Sequence, residues 1–434
     1  MKQESENIYR LLRRAQESVL RAQEDLIEAG SQLSEVSCNQ DNALTESLEH
    51  MSNSLHMAIL ELDDLIPEDL PDEDALSSET KTSLLSGISS LPRATAEKIS
   101  DLIPDHPMEK LAGLVPDTAV ERISELLPDR SRALIYSGLD QIPHGRASRE
   151  IRPGALILEG GAFRGLYTQG VLDALMEANI NFQTIAGISA GALSALGYVS
   201  GEIGWSARLN LSLRHDTNYI GLDAMRRDHG ITGFSYIFED QLKEHPIELD
   251  RLNDPRRRLV VGATDMNTGL VHFFENGRCR DFFRAARASA TVPYVSRPVV
   301  IDQVPYLDGG MVCNIPYQWA VDEGYDKIVV VKTRNHSYRK PTGGAFRQQR
   351  INHLYYHNYP RLLDALSHST ENYNALLDQI DRDEKAGKIF VFSPKDPVEI
   401  NRFESDMDKL GDLYWKGYRE TKQRIEELKE YLSK

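Results

Sequence analysis

From its first residues the chain sets apolar or alanine side chains at Ile8, Leu12, Ala15, Val19, Ala22, Leu26, Ala29, Leu33 and Val36, in steps of alternately four and three. That spacing is a heptad seam, and it predicts a helix with a coiled-coil face. A second seam runs through Leu44, Leu48, Met51, Leu55, Ala58, Leu62 and Leu65, after a polar break, SCNQDN, that suits a turn. Two helices joined so tightly fold back most simply as an antiparallel hairpin over residues 1–66. Such a seam serves a homo-oligomer or another protein partner, or it packs on its own chain. Residues 67–90, with PEDLPDEDALSSET, are acidic and turn-rich and read as a solvated linker.

From Leu91 a shorter period takes over. LPRATAEKISDL, IPDHPMEKLAGL, VPDTAVERISEL and LPDRSRALIYSG align, with Pro92, Pro104, Pro116 and Pro128 each following an aliphatic residue. Proline suits the start of a short helix and the aspartate after it can cap one, so residues 91–145 are expected to form stacked helical units that share a core.

Beyond IPHGRASREIRPG the pattern changes again. ALILEGG, FQTIAGIS, RLVVGATD, VHFFE, VPYL, KIVVVKT and KIFVFSP read as strands. GLYTQGVLDALMEAN and AGALSALGYVS read as helices with an apolar face. Alternating strands and helices of this kind predict an α/β domain over residues 153–434 with a largely parallel central sheet, preceded by an all-helical module.

Composition sharpens this picture in two ways. The net charge of −16 is unevenly spread, because residues 1–150 hold 29 acidic and 14 basic side chains while the remainder hold 37 and 36. An acidic first third argues against nucleic acid as a partner. Cys38, Cys279 and Cys313 are odd in number and far apart, which suggests neither a disulfide framework nor a zinc site and favours a reducing compartment. No run approaches the roughly 18 apolar residues of a membrane span. The expected location is cytoplasmic, with peripheral membrane contact and secretion as an effector both left open.

The candidate chemistry lies in three glycine-rich stretches. Gly187, Ser189 and Gly191 form GxSxG between a predicted strand and a predicted helix, the context of a nucleophile elbow. Small residues at any tight strand-to-helix junction give the same letters. EGGAFRG, Glu159 to Gly165, can aim backbone N–H groups at an anion, either the oxyanion of an attacked ester or a nucleotide phosphate. The nucleotide reading is weakened by Ala162, which stands where GxGxxG needs glycine. YLDGG places Asp308 before Gly309 and Gly310 at a strand end. The base for Ser189 is then either Asp308 directly or a histidine of a Ser–Asp–His triad, with His336, His353, His357 and His368 as candidates.

In that order, GGAFRG, GISAG and DGG resemble the motifs of the patatin-like phospholipase family, GGxxRG, GxSxG and DG[AG]. The resemblance extends through RASATVPYVSRPVVIDQVPYLDGG to LYWKGYRET, and is strongest to bacterial members with EGGAxRG and a long helical C-terminal extension. It implies a three-layer α/β/α hydrolase that acts on phospholipids or lysophospholipids, with no cofactor and no metal. It also implies a Ser–Asp dyad, with Ser189 as nucleophile and Asp308 as general base. Gly160, Gly161, Ala162, Phe163, Arg164 and Gly165 would frame the oxyanion hole. Many members carry a third glycine where this chain has Ala162, and a methyl group there is expected to require a negative φ. The rival readings are a non-lipid carboxylesterase on the same site and an interaction protein working through its N-terminal helices.

Three lesser features complete the reading. RHD, Arg214 to Asp216, is expected to be structural rather than metal-binding. Arg256, Arg257 and Arg258 are expected to form a solvated turn after Pro255. The mixed basic and aromatic stretch NHSYRKPTGGAFRQQRINHLYYHNYPRLL is either a surface loop leading into a helix or a membrane-contacting one.

Overall fold

The computed structural model describes residues 134–341 and 345–434. The expected hairpin (1–66), the linker (67–90) and residues 91–133 of the repeat region lie outside the described residues. A compact unit runs from Ala133 to Lys434. It takes in chain well before Pro153, because Ile142 is fully buried in its core and the Tyr136 amide donates to Leu211 O at 3.0 Å.

In chain order the principal elements are β1 (Gly145–Arg146), β2 (Arg152–Leu158), α1 (Gly165–Glu177), β3 (Phe182–Ile188), α2 (Ala190–Ser200) and β4 (Glu202–Ile203). Then follow β5 (Arg258–Asp265), β6 (Leu270–Glu275), α3 (Phe282–Ser289), β7 (Val299–Ile301), β8 (Val304–Asp308) and α4 (Tyr317–Asp322). The chain closes with β9 (Ile328–Val331), α5 (Ser369–Lys385), β10 (Ile389–Phe392) and α6 (Met407–Ser433). β1 and β4 pair as a small separate ribbon.

Strands β10, β9, β2, β3 and β5 lie side by side in parallel. Beyond them the sheet turns antiparallel: β6 and β8 both pair with β5, and β7 pairs with β8. The parallel strands are apolar on both faces, as strands covered by helices on each side must be. Leu156 and Leu158 of β2 face the core built with α1, α2 and α6, whereas Ala155 and Ile157 face the core built with α4 and α5. The result is a three-layer α/β/α sandwich.

One helix contact is unusually close. A Cβ on Gly170 of α1 would lie 2.1 Å from Tyr414 O, and one on Gly417 of α6 would lie 2.1 Å from Tyr167 O. Each helix presents a glycine to the other's backbone, so no side chain separates the two axes here. The flanking tyrosines cross over to buried acids: Tyr414 donates to Asp173 at 2.8 Å and Tyr167 donates to Glu420 at 2.9 Å. Burial pushes the Asp173 carboxyl up to about 7.

One sequence expectation is corrected. Arg256 is exposed and pairs with Asp254, but Arg257 and Arg258 are not part of a solvated turn. Arg257 is buried, donates to Val199 O and Phe182 O, and sits against the Tyr198 ring; Arg258 opens β5 and pairs with Glu275 and Glu323. Both tie strand ends to neighbouring elements, a use of arginine that a run of three charges hides. In the basic and aromatic stretch, Tyr356 is buried and Arg339 pairs with Asp378 and Asp381, so part of it packs on the domain itself. No helix among the described residues is long and apolar enough to cross a membrane.

Candidate active site

Ser189 follows β3 and caps α2 with φ 53° and ψ −123°, a conformation that non-glycine residues avoid. Holding it costs on the order of 1–3 kcal/mol, which the surrounding structure must impose. The flanking glycines make that turn possible. A Cβ on Gly187 would lie 2.7 Å from Ala192 N, and one on Gly191 would lie 2.7 Å from Leu158 O.

Asp308 arrives from the opposite direction. On β5, Gly262 is the partner of Ile188, the last residue of β3, and the next residue, Ala263, is the partner of Asp308, the last residue of β8. β6 occupies the other edge of β5 over the same residues. The parallel β3 and the antiparallel β8 therefore share one edge and meet end to end, with Ser189 and Asp308 at the junction. The Ser189 hydroxyl donates to Asp308 Oδ2 at 2.6 Å, and the Gly310 amide donates to Oδ1 at 2.7 Å. Burial raises the Asp308 carboxyl to about 6, against the lowering effect of those two hydrogen bonds and of the positive charge of Arg402.

Residues that the sequence reading left without a role hold this junction together. Ser289, fully buried at the end of α3, accepts a hydrogen bond from the Ser189 amide at 3.0 Å and donates to Gly262 O at 2.6 Å. Two residues later, Thr291 O accepts the Asp308 amide at 3.0 Å, and Thr264 Oγ1 donates to Asp308 O at 2.8 Å. One short segment thus anchors both Ser189 and Asp308. The letters RASATVP contain it, but its partners lie across the sheet and nothing in the local pattern names them.

The glycine-rich turn after β2 lies on the other side of Ser189. Its first residue, Glu159, is buried and accepts hydrogen bonds from the Thr333 amide, the Thr333 hydroxyl and the Tyr373 hydroxyl, at 2.5, 3.1 and 2.5 Å. Of the six residues expected to frame an oxyanion hole, three have amides already engaged. Gly160 donates to Asn314 O, Arg164 to Gly161 O, and Gly165 to the carbonyls of Ala162 and Phe163. The amides of Gly161, Ala162 and Phe163 donate to no acceptor among the described residues. Ala162 itself has φ 47°, so the expectation of a negative angle there is corrected: the methyl group sits in the left-handed region that glycine adopts at no steric cost.

The histidines stand elsewhere. His336 faces Asp381 and Glu384, His353 stacks near His357, and His368 bonds to Ser367 and Asp364. None of them hydrogen-bonds to Ser189 or Asp308. In RHD, Arg214 donates to Phe403 O and Glu404 O, His215 bonds to Ser405 O, and Asp216 accepts from Tyr236.

Fold and sequence comparison together define the class. Residues 156–321 match the family model described as patatin-like phospholipase, and residues 359–433 match a domain of unknown function, DUF6363. The α/β/α unit thus carries a patatin-like hydrolase domain.

Among individual proteins, the chain is 29% identical over 194 residues to the uncharacterized protein YjjU of Escherichia coli strain K12, covering 43% of this chain and 54% of that one. It is 25% identical over 243 residues to a probable lipid hydrolase, 463L, of Invertebrate iridescent virus 6, covering 49% and 80%. It is 27% identical over 191 residues to a cGAMP-activated phospholipase of Pseudomonas aeruginosa, covering 39% and 55%. The match to YjjU thus spans about half the length of that relative.

Proposed function

We propose that this protein is a serine acyl hydrolase of the phospholipase A or lysophospholipase type, cleaving fatty acyl esters of lipids through an acyl-enzyme. The observation that carries the proposal is the direct 2.6 Å hydrogen bond from a strained, strand-end Ser189 to Asp308, with no histidine between them. The patatin-like family match and the lipid hydrolase and phospholipase named among the relatives support it.

In this reading the Asp308 carboxylate accepts the Ser189 proton as Oγ attacks the ester carbonyl. A carboxyl raised to about 6 suits that work: it is ionised at neutral pH yet more basic than an exposed aspartate. The amides of Gly161, Ala162 and Phe163, which have no acceptor among the described residues, are the donors assigned to the oxyanion of the tetrahedral intermediate, where one donor is typically worth about 10²–10³ in rate. The proton then passes from Asp308 to the departing alcohol. Asp308 next takes a proton from water as it attacks the acyl-enzyme, and returns that proton to Ser189 Oγ as the ester bond breaks and the fatty acid leaves.

The test is hydrolysis of a panel of phospholipids, lysophospholipids and short nitrophenyl esters by the full chain. Lipid ester cleavage that Ser189→Ala abolishes, with an acyl group trapped on Ser189 by mass spectrometry, is expected. Undiminished cleavage by Ser189→Ala would overturn the assignment. Cleavage confined to the short esters would make the protein a non-lipid carboxylesterase.

A further inference from the structure

Glu159, the first residue of the glycine-rich turn, is only 1% exposed, and both oxygens of its carboxylate are engaged. Oε2 accepts the Thr333 amide at 2.5 Å and the Thr333 hydroxyl at 3.1 Å, while Oε1 accepts the Tyr373 hydroxyl at 2.5 Å. Burial and the charge of Glu159 push the Tyr373 phenol up, so it keeps its proton and donates. Lys332, fully buried and with no hydrogen-bond partner for Nζ among the described residues, adds a positive charge that acts on Glu159. A carboxylate is costly to bury unless donors surround it. Here the donors come from two places far apart in the sequence, the chain just after β9 and helix α5.

The same threonine touches the turn further along. Its hydroxyl lies 3.3 Å from Gly160 O, and a Cβ on Gly161 would lie 2.8 Å from Thr333 Oγ1. Thr333 therefore fills the space that a side chain on Gly161 would need, at the first of the three amides that have no acceptor among the described residues. Helix α5 is fixed just as closely. Asn374, next to Tyr373, accepts the Lys340 amide and donates to Lys340 O, each at 2.7 Å, and the Lys340 ammonium lies over the Tyr373 ring at 4.4 Å. Gly160 and Gly161 give the turn no side chains with which to hold itself, so its conformation is set from outside.

We infer that Tyr373 is a positioning residue for acyl transfer: through Glu159 it fixes the turn whose Gly161, Ala162 and Phe163 amides receive the oxyanion. The inference rests on the acyl-hydrolase reading above. Tyr373 lies within residues 359–433, the segment matched as a domain of unknown function, and Glu159 lies within the patatin-like match, residues 156–321. The segment without a known function thereby acquires a task in the reaction of the other. Loss of the Tyr373 hydroxyl leaves Oε1 of a buried carboxylate without that donor, a defect relieved by movement of the side chain and of the turn that carries it. A displacement of about 1 Å at a reacting centre can cost on the order of 10²-fold, and outright loss of one oxyanion donor about 10²–10³.

The experiment follows lipid ester hydrolysis, fluorophosphonate labelling of Ser189 and thermal unfolding in the full chain and its Tyr373→Phe, Glu159→Ala, doubly substituted and Leu377→Ala forms. Tyr373→Phe should lower kcat about 10- to 100-fold with KM little changed, and slow labelling in proportion. Because the tyrosine acts through the acid, Tyr373→Phe should have no further effect on kcat once Glu159 is alanine. Leu377, one turn further along α5 and fully buried, controls for the packing of the helix. Leu377→Ala should melt at least as low as Tyr373→Phe yet keep kcat at temperatures below its transition. Parent activity in Tyr373→Phe, a loss confined to KM, effects that add to those of Glu159→Ala, or an equal fall of kcat in Leu377→Ala would each overturn the inference. If the unmodified protein neither cleaves lipid ester nor takes up the label at Ser189, the hydrolase reading falls and this one with it.

Discussion

Replacing Asp308 by asparagine should make the protein more stable at neutral pH while nearly silencing it. The asparagine keeps both observed contacts, its carbonyl accepting the Gly310 amide and its amide donating to Ser189 Oγ where the carboxylate accepted. What it removes is a charge that the fold disfavours. The Asp308 carboxyl is raised from 3.8 to about 6 by burial, so the folded state holds its proton more tightly than the unfolded chain does. The sign follows: this group favours folding most below pH 3.8, that advantage is lost as pH rises, and above about 6 the ionised carboxylate weighs against the fold in full. The difference corresponds to roughly 3 kcal/mol at pH 8, and about 1–3 kcal/mol is expected after relaxation around the asparagine. Calorimetric unfolding of the full chain and its variant at pH 8 and pH 4 reads this directly, at about 2–4 °C per kcal/mol for a domain of this size. The variant should melt several degrees higher at pH 8 and nearly together with the parent at pH 4. Lipid hydrolysis at pH 8 should fall by about 10²–10⁴, the typical contribution of a general base. An asparagine variant that melts lower at pH 8, or whose advantage is the same at both pH values, would refute the account of Asp308 as a desolvated carboxylate.

The same carboxylate sets the acid limb of the parent enzyme: kcat/KM for lipid ester should drop about tenfold between pH 7 and pH 5 with a midpoint near 6, and a midpoint near 4 in rapid kinetics would contradict the burial of Asp308. Ser289→Ala removes both the acceptor for the Ser189 amide and the donor to Gly262 O, so kcat should fall at least tenfold with KM little changed, and fluorophosphonate labelling of Ser189 should slow in parallel. Gly417→Ala puts a methyl group 2.1 Å from Tyr167 O, and should destabilise the domain by about 1–3 kcal/mol in urea titration.

The parallel half of the sheet was legible because both faces of its strands are buried: the apolar run of RLVVGATD coincides with β5, Arg258–Asp265. The β7–β8 hairpin was half missed for a definite reason. Its turn residues, Asp302 and Gln303, take φ values of 47° and 68°, which are ordinary for Asn-Gly but not signalled by Asp-Gln. VPYL read as a strand, whereas VVI beside it did not. At the site, the glycine spacing led to Ser189, Asp308 and the turn after β2. It gave no access to which amides of that turn are already engaged, because Asn314, which occupies that of Gly160, is brought there by tertiary structure, and the local turn that engages the Arg164 amide follows from a backbone geometry the letters do not specify. Ser289 stayed hidden for the same reason, since it acts through neighbours more than twenty residues away.

Reversal of strand direction beside β5 explains how Ser189 reaches Asp308 directly, the arrangement that the proposed dyad needs. In an all-parallel sheet the residues that follow neighbouring strands emerge side by side, about a strand spacing of 4.8 Å apart, and point the same way, so a bridging group from a loop must join them. Here β3 and β8 run toward each other along one edge, and the step from Gly262 to Ala263 is the ruler that sets their gap. The spacing between Ser189 and Asp308 is thus written into the backbone of a third strand, one whose Gly262 and Ala263 set it through their backbone pairing. A single residue inserted into or deleted from β5 at that step would part Ser189 from Asp308 while leaving all three glycine-rich motifs of the sequence in place.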